Sequence, residues 1–472
     1  MPGMLLLLAE VIAVAVLAMV STRHFGVGDG LRISASFLVA YLIPLFILKR
    51  SRGTSIAAHV VLLVIAVFLS WVAYDCLVSW TTADGYSLQR PNLVGDARNY
   101  YKWALREYEG LPNDEPGDMF LGFQLMMLGL WKVFGLSVIW PQAMNMMFTM
   151  ISVVLTGLMT RRVLAHRVAV SPRTLVLGAM LLMCLLSFFI TSGVTILKEG
   201  ATSLSITMGG YALASMVTVD EERQHLWWDI CVFVLACLMM AFVRTTFLYF
   251  LALGVIVMTV SNWRRDWVMS LCMLALIFGL FVLCNHFVPY SFARHVEIVD
   301  GGWNMERTFN LFYSKSLFGF YFLYSPWHRL LFLPITMGVQ FVLPLPFNHL
   351  FDPPYLLSFF TRMTYGWYLF GGTALFYCLF VSWRRGENIG VWTWWPVLIY
   401  IGEAYVMGGM MARYMLPIQP LMVPMVLFML YRLYEGHWRR GYLIWMITLV
   451  VMILVAFVIY YRMHSALNSG LV

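Results

Sequence analysis

The chain of 472 residues is 61% hydrophobic and only 11% charged, with a mean hydropathy of +0.79. Soluble domains carry about twice that share of charged residues, so the composition excludes a soluble globular protein. The net charge of +8 is concentrated in short basic loops, which indicates membrane topology and requires no nucleic-acid partner.

About thirteen apolar runs are long enough to cross roughly 30 Å of hydrocarbon as helices, so the sequence predicts an all-α, polytopic membrane protein. The first run lacks a basic leading segment and a small-residue cleavage site, and we interpret it as a retained helix. Glu10 lies in the middle of this run, and we expect its side chain to face another helix. The runs fall near residues 4–21, 32–48, 57–80, 137–160, 173–191, 197–217, 227–243, 245–261, 267–287, 366–383, 390–408, 416–432 and 441–461.

The basic residues indicate which side of the bundle faces the cytoplasm. Lys and Arg collect in KRSRG, TRRVLAHR, NWRRD, SWRRG and HWRR, and the order of spans places all five on one side. By the positive-inside rule that side is cytoplasmic, which puts the N-terminus inside and the C-terminus outside. This topology requires the apolar stretch 227–261 to break into two spans at FVRTT.

Two long segments, 81–136 and 288–365, lie on the predicted outer face. Both are too short to form a separate domain with its own core, so residues 1–472 are expected to form a single integral-membrane domain. DARNYYKWALREY predicts a short amphipathic helix in the first segment, and 119–135 is apolar but interrupted. Prolines break the apolar run 325–354 of the second segment. These patterns favour interfacial or re-entrant helices parallel to the membrane.

Several ionisable residues lie near the outer ends of different spans, where a charge is costly and therefore indicates function. The cations Lys198, Arg244 and Arg413 suit a phosphate or pyrophosphate held at the level of the lipid headgroups. Asp96 or Glu199 suits general-base activation of an acceptor hydroxyl. The accessory candidates are Glu199, Glu403, Arg98, and the aromatic residues Tyr100 and Tyr101, whose ring faces suit sugars.

Structural explanations remain open for most of these residues. Asp96 is also typical of a helix cap, and Lys198 with Glu199 is typical of an interfacial ion pair. Arg98, Lys102 and Arg106 lie four residues apart and form one helix face that suits lipid headgroups. The histidines and the seven cysteines lack the spacing of zinc sites, so no metal site is predicted.

The sequences DARNYY, FLGFQLMMLGLWKVFG and MTRRV resemble successive landmarks of the GT-C superfamily of integral-membrane glycosyltransferases. This superfamily includes the protein O-mannosyltransferases and the lipid A aminoarabinose transferases. ILKEGATSLSITMGGYAL, FVRTTFLYFLAL and ARYMLPIQPLMVPMV are similar to its later outer-face landmarks. The resemblance covers residues 70–260, which would form the GT-C-like core, and 400–432. It implies that Asp96 is the catalytic acid of the first outer loop, and that Lys198 and Arg413 bind the polyprenyl phosphate.

The chain departs from the family pattern in three ways. Two spans precede the one that leads into the acidic loop, where the family usually has one. No second acid follows Asp96 directly, so a metal-binding acidic pair is not evident, although a divalent metal stays compatible with the family. The chain also lacks a large C-terminal outer domain, which disfavours an oligosaccharyltransferase that acts on protein sequons.

The expected function is transfer of a sugar from a polyprenyl-phosphate-linked donor to a hydroxyl of a glycan, lipid or protein acceptor. We expect the reaction on the outer face of a bacterial-type cytoplasmic membrane. One alternative is an O-antigen or exopolysaccharide repeat-unit polymerase, a class whose members likewise have outer loops of limited size. Another is a lipid-linked glycan transporter or flippase, which would favour charges near mid-membrane and inverted repeats.

Overall fold

The structure of the protein is a computed structural model. It describes residues 2–51, 55–111, 121–185, 192–217, 226–261, 263–287, 327, 330, 331, 333, 354–357, 371–387, 389–407 and 416–468. Within these ranges every regular element is a helix, which confirms the all-α prediction.

Fourteen helices of four or more residues, α1 to α14, form the fold in the described part of the chain. A 3-10 turn at Thr245–Phe247 follows the helix that ends at Arg244, and another at Leu416–Ile418 precedes the helix that begins at Gln419. After Phe376 the chain continues through a π-helical turn at Tyr377–Val381. The helices are α1 Pro2–Arg50, α2 Ile56–Thr81, α3 Gly95–Tyr108, α4 Leu121–Phe134, α5 Ile139–Leu164, α6 Pro172–Met183, α7 Glu199–Val217, α8 Leu226–Arg244, α9 Leu248–Ser261, α10 Trp263–Phe287, α11 Thr373–Phe376, α12 Val391–Met407, α13 Gln419–Tyr434 and α14 Arg439–Asn468.

In the described part of the chain, 4 helices are long and apolar enough to cross a membrane: Met4–Arg50, Ile56–Thr81, Ile139–Leu164 and Leu226–Arg244. Shorter apolar helices occupy other predicted spans, among them Pro172–Met183, Leu248–Val260, Ser270–Leu283 and Val391–Gly402. These helices support a membrane protein. The full set of about thirteen spans, and the orientation of the outer helices parallel to the membrane, stay predictions.

Helix α1 consists of two antiparallel halves that meet at Gly26. Gly26 has φ 83 and ψ 167, a backbone conformation outside the helical region that glycine adopts without steric cost. The Tyr41 hydroxyl donates a hydrogen bond of 2.6 Å to Glu10 Oε1, although 31 residues separate them. In a straight helix those residues would lie about 46 Å apart, so the chain folds back at Gly26. The halves correspond to the predicted spans 4–21 and 32–48, and the expectation that Glu10 faces another helix is confirmed.

Helix α5 lies at the centre of the described bundle, in contact with α1, α2, α4, α6, α7 and α13. One face of α5 carries a stripe of fully buried polar residues at intervals of three and four: Gln142, Asn145, Thr149, Ser152, Thr156 and Thr160. The Ser152 and Thr156 hydroxyls donate to the carbonyls of Phe148 and Ser152, one turn back. Small polar residues of this kind allow helices to approach closely in a membrane.

Two sequence predictions about local structure are confirmed. Helix α8 ends at Arg244, whose φ of -158 and ψ of 75 break the helix at FVRTT. The first outer segment forms the amphipathic helix α3, which buries Tyr100, Tyr101 and Ala104 and exposes Arg98 and Lys102.

Candidate functional site

Asp96 lies in the first turn of α3 and is partly buried. The helix begins at Gly95, and Val94 precedes it as the N-cap residue, so Asp96 does not occupy the N-cap position. Asp96 still lies in the first turn of α3, where a carboxylate is stabilised by the helix dipole, so this structural explanation remains open. Tyr100 follows Asp96 by four residues, which places both side chains on one face of α3.

Tyr100 and Tyr101 anchor α3 to α4. The Tyr100 ring packs edge-to-face on Phe123 at 5.9 Å between centroids, and the Tyr101 ring packs on Trp131 at 4.8 Å. The Tyr101 hydroxyl donates to the Gln89 carbonyl at 2.9 Å, and burial raises the pKa of this phenol. Both tyrosines are buried. Their first role is thus to fix the position of Asp96, and contact with a sugar stays a prediction.

The beginning of α7 meets this face of α3. Lys198, the residue directly before α7, places its Nζ 5.3 Å from the centre of the Tyr100 ring. Lys198 is only 6% exposed, so its charge lies in a region that water enters little. A cation over an aromatic face is stabilised by about 0.5–2 kcal/mol. Asp96 therefore lies one helical turn from the ring that Lys198 contacts.

Two buried carboxamides of α5 hold the backbone that leads to Lys198. Asn145 Nδ2 donates to the carbonyls of Thr195 and Leu197 at 2.6 and 2.9 Å. Gln142 Nε2 donates to the carbonyls of Val194 and Ala73, at 2.9 and 3.2 Å, and so links this segment to α2. The carbonyls of Thr195 and Leu197 belong to non-helical backbone inside the bundle, where unsatisfied groups are costly.

Sequence reasoning missed Gln142 and Asn145 as positioning residues. Their signal is the pair of carboxamides in PQAMN, inside the apolar run 137–160. A polar side chain inside a predicted span is expensive, so two of them three residues apart indicate a common polar target. The target itself lies about fifty residues away in the chain, which periodicity does not reveal.

Arg244 lies at the end of α8 and is 3% exposed. Its guanidinium carbon is 3.6 Å from the centre of the Phe247 ring. The first turn of α4 packs closely against this end of α8. The two backbones are so near that a Cβ added at Gly122 would overlap the carbonyl group of Phe242. The next residue, Phe123, contacts Tyr100. Helix α4 thus connects the turn that carries Arg244 with the face of α3 that carries Asp96.

The accessory candidates occupy different positions relative to this cluster. Glu199 is the first residue of α7 and is 1% exposed, whereas Arg98 is exposed. Glu403 belongs to α12, and the preceding Gly402 lies beside the Tyr249 ring at the start of α9. Arg413 lies outside the described residues. The turn Leu416–Ile418, which begins three residues after Arg413, contacts α7.

Asp75, an acidic residue in the last turns of α2, has a structural partner. Its Oδ2 accepts a hydrogen bond of 2.9 Å from the backbone N–H of Leu356. Leu356 belongs to the second outer segment, 288–365. Asp75 therefore connects the end of α2 with that segment.

This end of the bundle carries one carboxylate, Asp96 on α3, and two buried cations. Lys198 contacts the Tyr100 ring of α3, and Arg244 ends α8, which packs against α4. Cations in a region of low dielectric stabilise a phosphate more strongly than they would in water. Among the described residues no three His, Cys, Asp or Glu side chains group as metal ligands.

The chain matches no protein-family model, no curated protein and no solved structure.

Proposed function

We propose that this protein is a membrane glycosyltransferase that takes a sugar from a polyprenyl-phosphate-linked donor. The acceptor is a hydroxyl of a glycan, a lipid or a protein at the outer face of a bacterial-type cytoplasmic membrane. The observation that supports this proposal best is the contact between the Asp96–Tyr100 face of α3 and Lys198 at the start of α7. It joins a proton acceptor of the first outer loop to a buried cation from a distant part of the chain.

In the proposed reaction, the Asp96 carboxylate removes the proton from the acceptor hydroxyl. The acceptor oxygen attacks the anomeric carbon of the donor sugar, and the bond from that carbon to the phosphate oxygen breaks. The bonding electrons leave with the polyprenyl phosphate, whose growing charge Lys198 and Arg244 stabilise. Arg413 is the third cation of the proposed phosphate-binding group, with Lys198 and Arg244. The carboxylates of Glu199 and Glu403 adjust the net charge of this group.

The burial of the cations supports their assignment to the phosphate. A lysine and an arginine with 6% and 3% exposure lie where water enters little, so an anionic ligand beside them would interact with them more strongly than in bulk water. The apolar spans around the cluster suit the polyprenyl chain of the donor. A donor held in this way presents its phosphate at the outer ends of the helices and its chain to the lipid.

The test is sugar transfer by purified protein in proteoliposomes, with a polyprenyl-phosphate-linked sugar as donor. Asp96→Asn keeps the size of the side chain and removes the base, and we expect kcat to fall by about 10²–10⁴-fold. The matched control is Asp84→Asn, because Asp84 is an exposed acid of the same outer segment. Full transfer by Asp96→Asn would refute the assigned base.

A deletion strain separates transferase from polymerase. Loss of long glycan chains with retention of single repeat units on a gel of surface glycan indicates the polymerase. Loss of one sugar decoration with unchanged chain length supports the transferase.

A further inference from the structure

A cavity lies between the two halves of α1 and helix α2, away from the candidate site. Its volume is about 470 Å³, within the range of pockets that hold small molecules. The lining runs along α1 from Leu7 to Ala18, a length of about 16 Å at 1.5 Å per residue. The cavity therefore extends parallel to the helices, over a length that suits one extended hydrocarbon chain.

The cavity opens sideways to the region that lipid occupies. Leu7 and Val11, which line one side, are 59% and 58% exposed, and Leu42 on the second half of α1 is 46% exposed. These helices are long and apolar enough to span a membrane, so their exposed side chains face hydrocarbon. An apolar ligand enters this cavity from the bilayer and does not cross water.

The acidic residue in the lining is Glu10, near the middle of the first half of α1. Tyr41 donates a hydrogen bond of 2.6 Å to Glu10 Oε1. An ionised carboxylate accepts about four hydrogen bonds. The Ser34 and Ser70 hydroxyls in the lining already donate to the Gly30 and Ala66 carbonyls of their own helices.

Charge complementarity decides which head group fits. Among the described residues Glu10 forms no ion pair, and Tyr41 is its hydrogen-bond partner. A carboxylate surrounded by apolar side chains is stabilised by a cation with several N–H donors. A phosphate in the same position would be repelled, so this cavity does not fit the donor head group of the proposed transfer reaction.

We propose that this cavity binds a single-chain lipophilic amine. The hydrocarbon chain fills the groove between the halves of α1 and helix α2, and the ammonium head pairs with Glu10 beside the Tyr41 hydroxyl. The inference rests on the cavity and on the Glu10–Tyr41 pair, and it is independent of the proposed glycosyltransferase activity.

The test measures binding of dodecylamine to the purified full-length protein in detergent micelles, with dodecanol and dodecanoate as probes of equal chain length. We expect dodecylamine to bind at least about tenfold more tightly than either, because an ammonium–carboxylate pair is charge-assisted. Glu10→Gln should remove this preference and leave dodecanol binding unchanged. Equal affinity of amine and alcohol for the wild-type protein would overturn the proposal, as would an unchanged preference in Glu10→Gln.

A second measurement uses the wild-type protein alone and so does not depend on the folding of a variant. A hydrophobic carbodiimide modifies carboxyl groups that are reachable from the lipid phase, and mass spectrometry locates the modified residue. We expect modification of Glu10, the acidic residue in the lining of the cavity. Absence of modification at Glu10 would also overturn the proposal.

Discussion

Replacement of Asn145 by leucine tests how the protein positions Lys198. The substitution preserves the approximate volume of the side chain and removes the N–H group that bonds Thr195 and Leu197. Hydrogen bonds between membrane helices contribute about 0.6–1.7 kcal/mol each, so loss of two lowers the free energy of unfolding by about 1.2–3.4 kcal/mol. The free carbonyls also release the segment before α7, so we expect Lys198 to lose its fixed position over the Tyr100 ring.

The assay is unfolding of the purified protein in mixed micelles under increasing SDS, followed by helix content. Thr149→Val is the matched control, because Thr149 lies one turn further along α5, is equally buried, and has a hydroxyl without a hydrogen-bond partner among the described residues. We expect Thr149→Val to unfold as the wild type does. The reasoning fails if Asn145→Leu is as stable as the wild type, or if both variants are destabilised equally.

Two further predictions concern the same end of the bundle. Lys198→Met should lower kcat of sugar transfer by about 10²–10³-fold, the typical effect of removing one donor to a developing charge. Lys102→Met, at an exposed position of α3, is the control and should have no effect. Equal activity of the two variants would contradict the role of Lys198 in binding the phosphate. Gly122→Ala should lower the free energy of unfolding by about 1–3 kcal/mol, because its Cβ would overlap the Phe242 carbonyl. Gly129→Ala, on the same helix with open space around it, should be neutral or stabilising by about 0.5–1 kcal/mol. Equal stability of the two glycine variants would show that the close contact between α4 and α8 is absent.

Much of the fold follows from local patterns in the sequence. Apolar runs of membrane length predict most helices to within a few residues, because each helix satisfies its own backbone hydrogen bonds in lipid. The break at FVRTT is also local, since an arginine and two threonines interrupt the hydrophobic run. The amphipathic helix α3 is recognisable from its spacing, with Tyr100 and Ala104 on the buried face.

The arrangement of the site depends on contacts that no local pattern contains. Gln142 and Asn145 donate hydrogen bonds to carbonyls about fifty residues further along the chain. Gly122 contacts Phe242, which lies more than a hundred residues away in the sequence. Such pairings depend on which helices pack together, and hydropathy does not encode that choice. Asp75 illustrates the same limit, because its position indicates a costly charge but not that the charge accepts a bond from Leu356.

The most direct test of the proposed function is a mass balance on the lipid-linked donor in proteoliposomes. The proposal predicts that wild-type protein releases free polyprenyl phosphate in equal amount to the sugar that reaches the acceptor, and that Asp96→Asn slows both products together. Movement of intact donor across the bilayer, with no release of polyprenyl phosphate by the wild-type protein, would contradict the proposal and identify a transporter.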